Sequence, residues 1–257
     1  MILVPVLLGF VLGFCIGLTG IGGGALVAPA LYVILGLTYT QAVALSLIYS
    51  FLTKVLGFVQ HVRQDNVRWR LSAVFGLTGI PGAILGSKLL YLSGDLSERF
   101  FPILMGVVLI AVSAFIFFDT TVAWGTDRRR WDPDELPLRR IVGIGFYMLV
   151  VGGLLGTTSI GSGSLVVLSL VLLFEMPARQ MVGSNIAIAL IMIVPAGLTH
   201  LSAGGVDLRL LGLLLAGSVF GVFLGSKATN LLPDRPLKLI MVSFIVISAV
   251  ATIIKAW

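Results

Sequence analysis

The chain has 257 residues, 58% of them hydrophobic and 11% charged, with a mean hydropathy of +1.11. A soluble domain carries roughly a quarter charged residues, so this composition excludes a soluble globular protein and points to lipid as the surroundings. The net charge of +6 does not indicate nucleic acid, because most Lys and Arg residues lie between apolar runs, as the positive-inside bias of membrane proteins requires.

Apolar segments are predicted at roughly 2–18, 24–36, 40–60, 71–92 and 100–118, and again at roughly 141–157, 163–174, 179–199, 210–231 and 238–254. Runs of about 18 residues or more can cross a bilayer. Met1 to Phe14 contains no Lys or Arg, so it lacks the basic start of a signal peptide and is expected to be mature sequence. Cys15 stands alone, which excludes an intrachain disulfide. As one helix, residues 2–36 would be about 52 Å long, against a hydrocarbon core of about 30 Å. The run Thr19-Gly20-Ile21-Gly22-Gly23-Gly24 falls in the middle of this stretch. It predicts two short helices joined at a break, either a hairpin or two tight crossings. Gly9 and Gly13 sit at small-xxx-small spacing and are expected to pack helices. Pro81 and Pro195 fall inside later segments and can kink them. Asp119 to Arg140, with Arg128-Arg129-Arg130 and Asp132-Pro133-Asp134-Glu135, reads as a solvated linker.

The two sets of segments are copies. A shift that carries Gly20 onto Ser159 carries the whole first motif onto Thr158-Ser159-Ile160-Gly161-Ser162-Gly163. It also aligns Gln41 with Gln180, His61 with His200, Arg70 with Arg209, Gly86-Ser87-Lys88 with Gly225-Ser226-Lys227, and Asp95 with Asp234. Apolar matches are cheap in such a composition, so these polar ones decide. Residues 1–118 form the first transmembrane repeat, 119–140 the linker and 141–257 the second repeat. A doubled unit with Gly-broken segments at equivalent places is the pattern of a secondary transporter. An odd number of net crossings per half would point the halves in opposite directions. On that arrangement Arg63, Arg68, Arg70, the linker arginines, Arg179, Lys227, Arg235 and Lys238 share one side, leaving Lys88, Arg99, Arg209 and Lys255 on the other. A parallel arrangement segregates the charges less well. The expected fold is therefore an all-α polytopic membrane protein of two inverted-topology repeats. Each has about four helices, the first of them broken or re-entrant. The linker is cytoplasmic and both termini lie outside.

The broken motifs carry the chemistry. Irregular backbone at membrane depth is tolerated where it is buried in protein or lines a polar cavity. A helix restarting after such a break presents free N–H groups and a partial positive charge, which favour an anion, and glycine lets a ligand approach the backbone. The candidate substrate contacts are Thr19, Gly20, Gly22, Gly23 and Gly24 in the first copy, and Thr158, Ser159, Gly161, Ser162, Gly163 and Ser164 in the second. Lys54 lies deep in the third segment, where an ammonium is costly and faces a cavity or a partner, although its stem could also snorkel. Ser46 and Asn185 occupy equivalent positions and join the candidate set; Gln41 and Gln180 open equivalent helices. His61 and His200 end equivalent spans and are expected to be interfacial rather than proton relays. The closing Gly-Ser-Lys triplets are expected to pack helices and place a snorkelling Lys. Within the spans no Asp or Glu suggests a proton relay; Glu175 lies at a segment end.

Taken together, the Thr-Gly-x-Gly-Gly-Gly and Gly-Ser-Gly-Ser segments, the polar linker and the closing Gly-Ser-Lys resemble the TauE/SafE family of sulfite and organosulfonate exporters, over nearly the whole chain. The resemblance implies export of a small sulfur-containing anion, such as sulfite or sulfoacetate, across the bacterial cytoplasmic (inner) membrane. By position it places the contact zone at Thr19 to Gly24 and Thr158 to Ser164.

The expected mechanism is alternating access with the anion between the two breaks. An anion channel of the same architecture is the first alternative. An intramembrane serine hydrolase built on Ser162 and His200 is the second; against it, the repeat mate of Ser162 is Gly23 whereas His61 keeps its histidine. The expected partners are the small anionic substrate and the lipid bilayer, with no nucleic acid, and a homodimer is left open. No cofactor or metal is expected.

Overall fold

The structure is a computed structural model that describes residues 3–19, 23–122, 131–132, 137–161, 163–204, 206–229 and 234–257. Gly20, Gly22 and Ser162 of the candidate set lie outside the described residues, as does most of the linker, including Arg128, Arg129 and Arg130. Ten α-helices make up the described chain: α1 Leu3–Thr19, α2 Val27–Leu35, α3 Tyr39–Arg63, α4 Trp69–Leu92, α5 Leu96–Val122, α6 Leu138–Thr158, α7 Ser164–Leu173, α8 Ala178–Ser202, α9 Leu208–Thr229 and α10 Asp234–Ala256. A 3-10 turn at Gly23–Ala25 precedes α2. The molecule is an all-α, multi-pass membrane protein. Among the described residues six helices are long and apolar enough to cross a bilayer, on α3, α4, α5, α6, α8 and α9.

Both expected breaks are present. α1 ends at Thr19 and α6 at Thr158; the short helix α2 starts only at Val27, behind a 3-10 turn, and the short helix α7 at Ser164. At 9 and 10 residues, α2 and α7 are only about 14 and 15 Å long, half of a crossing. In the second half the chain on either side of the break lies side by side. Trp131, just before α6, pairs with Phe174, just after α7: Trp131 N–H donates to Leu173 O at 2.8 Å and Glu175 N–H to Trp131 O at 3.1 Å. Along the way the hydroxyls of Tyr147 on α6 and Ser169 on α7 lie 2.8 Å apart. α6 and α7 are thus the limbs of an antiparallel hairpin with the glycine-rich break at its tip. α5 continues to Val122 and α6 begins at Leu138, so helix reaches into both ends of the stretch read as linker.

The broken helices pack through glycine. A Cβ on Gly9 or Gly13 would overlap the backbone of Leu214 or Ser218, and one on Gly217 or Gly221 the carbonyl of Val6 or Phe10. The partners' numbers rise together, so α1 and α9 run parallel. The same holds for α4 and α6, where Gly82 meets Leu149, Gly86 meets Gly153 and Gly152 meets Gly79. The two seams match at the repeat shift: Gly13 on Ser218 becomes Gly152 on Gly79, and Gly221 on Phe10 becomes Gly82 on Leu149. Lipid tails are as apolar as these helices, so the seams hold by close van der Waals contact, which only small residues permit. Packing is thus the role of Gly9, Gly13 and Gly86, as expected. Ser87 turns its hydroxyl onto Ala83 O of its own helix at 2.8 Å, and Lys88 is exposed.

His200 departs from expectation. It is fully buried rather than interfacial. Its Nε2 lies 3.1 Å from Gly156 O and its Nδ1 3.0 Å from Tyr91 Oη. A carbonyl can only accept, so Nε2 carries the proton and Nδ1 accepts from the phenol. The ring thereby ties α8 to α4 and α6, as a buried polar group must be tied. Its repeat mate His61 is half-buried, with Nδ1 buried and unpartnered.

Candidate anion-binding site

The tips of the two broken segments meet. Gly24, in the 3-10 turn, lies so close to the Ser159 carbonyl that a Cβ would overlap it, and the same Cβ would stand 3.2 Å from Ser159 Oγ. Local geometry makes the second tip. Thr158 Oγ1 donates to Leu154 O at 2.5 Å and accepts from Ile160 N–H at 3.2 Å, closing the last turn of α6. Ser159 then takes a left-handed conformation, φ 60° and ψ −2°, and its N–H bonds Leu155 O at 2.8 Å. Gly161 follows at φ 113°, a conformation glycine adopts freely. Ser159 is 0% exposed and its Oγ has no hydrogen-bond partner. A left-handed serine costs of order 1 kcal/mol relative to glycine, and a buried hydroxyl without a partner costs about 1–3 kcal/mol more. Both costs fall on the left-handed residue that caps α6, where the halves of the chain touch.

Both helix starts beyond the breaks lack side-chain caps. Neither Leu26 before α2 nor Gly163 before α7 makes a side-chain cap hydrogen bond. Gly163 is buried and Ser164, the first residue of α7, is half-buried. In the first copy Thr19 closes α1, and Gly23 and Gly24 form the 3-10 turn.

The 3-10 turn packs against α3, which carries Ser46 and Lys54, both buried. Ser50 lies between them at the same spacing, and the sequence reading passed it over. Positions 46, 50 and 54 repeat every four residues and so share one face of the helix. Ser50 is 0% exposed and its Oγ has no partner. The i, i+4 run from Ser46 to Lys54 was the signal that could have found it. Ser46 itself is occupied, its hydroxyl donating to Val43 O at 2.8 Å. On α8, Asn185 is buried with Oδ1 unpartnered. The structure thus joins the two breaks through Gly24 and Ser159, and the helix that packs on the first of them, α3, carries a buried polar face. Chemically, hydroxyls and helix-start N–H groups can donate to an oxyanion without a fixed countercharge. Among the described residues, no group of three His, Cys, Asp or Glu side chains could hold a metal ion.

The two ends of the molecule differ around this site. At the end bearing the linker, Arg68 Nε–H donates to Gln180 Oε1 at 2.9 Å, its backbone N–H donates to Ser184 Oγ at 3.0 Å, and Gly183 lies against Asn66 O. At the opposite end the equivalent residues, Asp207, Gln41 and Leu45, line a cavity of about 230 Å³ instead. None of that cavity's lining residues belongs to either break.

The chain matches the family described as "Sulfite exporter TauE/SafE" over residues 5–252. It is 35% identical to "Probable membrane transporter protein YjnA" of Bacillus subtilis (strain 168), over 96% of this chain and 98% of that protein. It is 25% identical to "Probable membrane transporter protein YdhB" of the same organism, over 91% and 92%. No solved structure matches the chain. These proteins are described as exporters and membrane transporters, which sets the serine hydrolase reading aside. With its glycine-broken helices and with a match running almost from end to end, the chain belongs to the TauE/SafE sulfite exporter family, and it is a membrane transporter rather than an enzyme.

Proposed function

We propose that the protein exports a small sulfur-containing oxyanion, sulfite or an organosulfonate, from the bacterial cytoplasm by alternating access. The anion sits between the two breaks. There the Ser159 hydroxyl and the first N–H groups of α7 donate to its oxygens, and Ser50 and Lys54 on α3 stand as further contacts. The observation that carries this reading is the buried, unpartnered hydroxyl of a left-handed Ser159 against Gly24. An oxyanion offers the acceptor that this hydroxyl lacks. The family description, a sulfite exporter, is the support for sulfur.

Two inverted repeats supply the motion. Two parallel glycine seams that match at the repeat shift support this reading, and the excess of Lys and Arg on the linker side supports a cytoplasmic linker. The unlike ends support exchange between two states: helices in contact around Arg68 at one end stand apart around a cavity at Asp207 at the other. Rocking of one bundle against the other would swap the two arrangements. An inside-negative potential favours anion export by about 2.3 kcal/mol per charge per 100 mV, so a uniporter needs no coupling ion.

The test is sulfite efflux from proteoliposomes. Ser159→Ala is expected to lower flux at least tenfold with insertion unchanged, and the double variant Gly22→Leu, Gly161→Leu to abolish it. Wild-type flux in both would overturn the site. Flux that never saturates with sulfite would favour a channel over a carrier.

A further inference from the structure

The limbs of the α6–α7 hairpin do not close on one another. Between them lies a cleft of about 820 Å³. Its walls are largely apolar, with Leu168 and Leu172 on the α7 side. On the α6 side Gly143 leaves open space where a side chain would stand. The polar atoms along it are already satisfied: the hydroxyls of Tyr147 and Ser169 lie 2.8 Å apart, and Ser169 Oγ reaches Leu165 O at 2.6 Å. The mouth carries charge. Arg139 and Arg140 line it in the first turn of α6, and the Arg140 guanidinium lies 4.7 Å from the ring centre of Trp131, which the backbone of Leu173 and Glu175 holds in place.

We infer that this cleft binds an anionic phospholipid, its phosphate at Arg139 and Arg140 and an acyl chain between the limbs. Charge and shape both argue for it. Two cations with a tryptophan at one end of a long apolar slot match a charged headgroup on a hydrocarbon tail. A free oxyanion would use only the mouth and leave the apolar length empty. Lys and Arg beside the end of a membrane helix attract anionic lipid by about a factor of five each. The lipid would sit between the limbs of the hairpin whose tip carries Ser159, and so would set how far they splay. The inference does not depend on which solute the carrier moves.

Native mass spectrometry of the detergent-purified full chain tests this, with phosphatidylglycerol and phosphatidylcholine of equal chain length as probes. Phosphatidylglycerol is expected to be retained preferentially. Arg139→Gln with Arg140→Gln is expected to lower its affinity about thirtyfold, and Gly143→Phe, which fills the slot, to lower retention of both lipids. Arg63→Gln with Arg179→Gln removes the same charge from exposed positions at the same end and is expected to leave retention unchanged. Equal loss in the two double variants, displacement of the lipid by millimolar inorganic phosphate, or a second copy of the chain in place of lipid would each overturn the inference.

Discussion

The backbone N–H of Arg68, at the foot of α4, donates to Ser184 Oγ on α8 at 3.0 Å. A backbone atom that close to a serine side chain brings the two Cα atoms within reach of a disulfide. In a chain whose native Cys15 has been replaced, Arg68→Cys with Ser184→Cys is expected to cross-link readily and cut sulfite flux to under a tenth, with recovery on reduction. The repeat-related pair, Leu45→Cys with Asp207→Cys, faces a cavity and is expected to cross-link slowly without substrate and faster during turnover. Equal rates for the two pairs, unaffected by sulfite, would exclude exchange between two states.

Ser159 offers a substitution that separates stability from transport. Glycine takes the left-handed conformation without the Cβ penalty and removes the buried orphan hydroxyl. Ser159→Gly is therefore expected to stabilise the protein by about 2–4 kcal/mol, read as a rise in the thermal midpoint in detergent. Flux is expected to fall at least tenfold in the same variant, because the donor is gone. Loss of stability together with flux would make Ser159 a structural residue.

Much of this was legible before any coordinates. The break at Thr19 to Gly24 follows from an apolar stretch too long for one crossing with glycines at its centre, and the element bounds recur in the second half because the sequence does. What could not be read is what depends on distant partners. Glu98 meets Tyr39 from a different helix, and its repeat position is Leu237, so neither local pattern nor duplication announced it. Trp131 lay in a stretch read as plain linker because its charges hid the one residue that anchors. His200 was misplaced because a histidine at a span end reads as interfacial until the Gly156 carbonyl is seen opposite it. Ser50 was legible from its spacing to Ser46 and Lys54.

The glycine seams are expected to tolerate no side chain. Gly82→Val drives a branched side chain into the Leu149 carbonyl, and Gly221→Val does the same at Phe10. Backbone cannot yield as a side-chain tip can, so each is expected to cost about 3 kcal/mol, with loss of the folded form in detergent. Gly212→Val, where a Cβ meets nothing within 4 Å, is the matched control and is expected to be near neutral. Because the two seam positions are equivalent under the repeat, their costs should agree; damage at only one would mean that the halves do not share the load.

Glu98 holds the start of α3. Its two carboxylate oxygens accept from Tyr39 N–H at 2.9 and 2.8 Å, and Oε1 also accepts from Thr40 N–H at 3.4 Å. These N–H groups open a helix and have no acceptor within it, and the negative charge sits at the positive end of the helix dipole. Glu98 thus fixes the foot of α5 to the foot of α3, the helix that bears Ser46, Ser50 and Lys54. Glu98→Ala is expected to cost about 1.5–3 kcal/mol, seen as a lower thermal midpoint and faster amide exchange at Tyr39 and Thr40. Glu98→Gln keeps an acceptor without the charge and should recover about half. A glutamine variant as damaged as the alanine one would assign the whole effect to charge rather than to the hydrogen bonds.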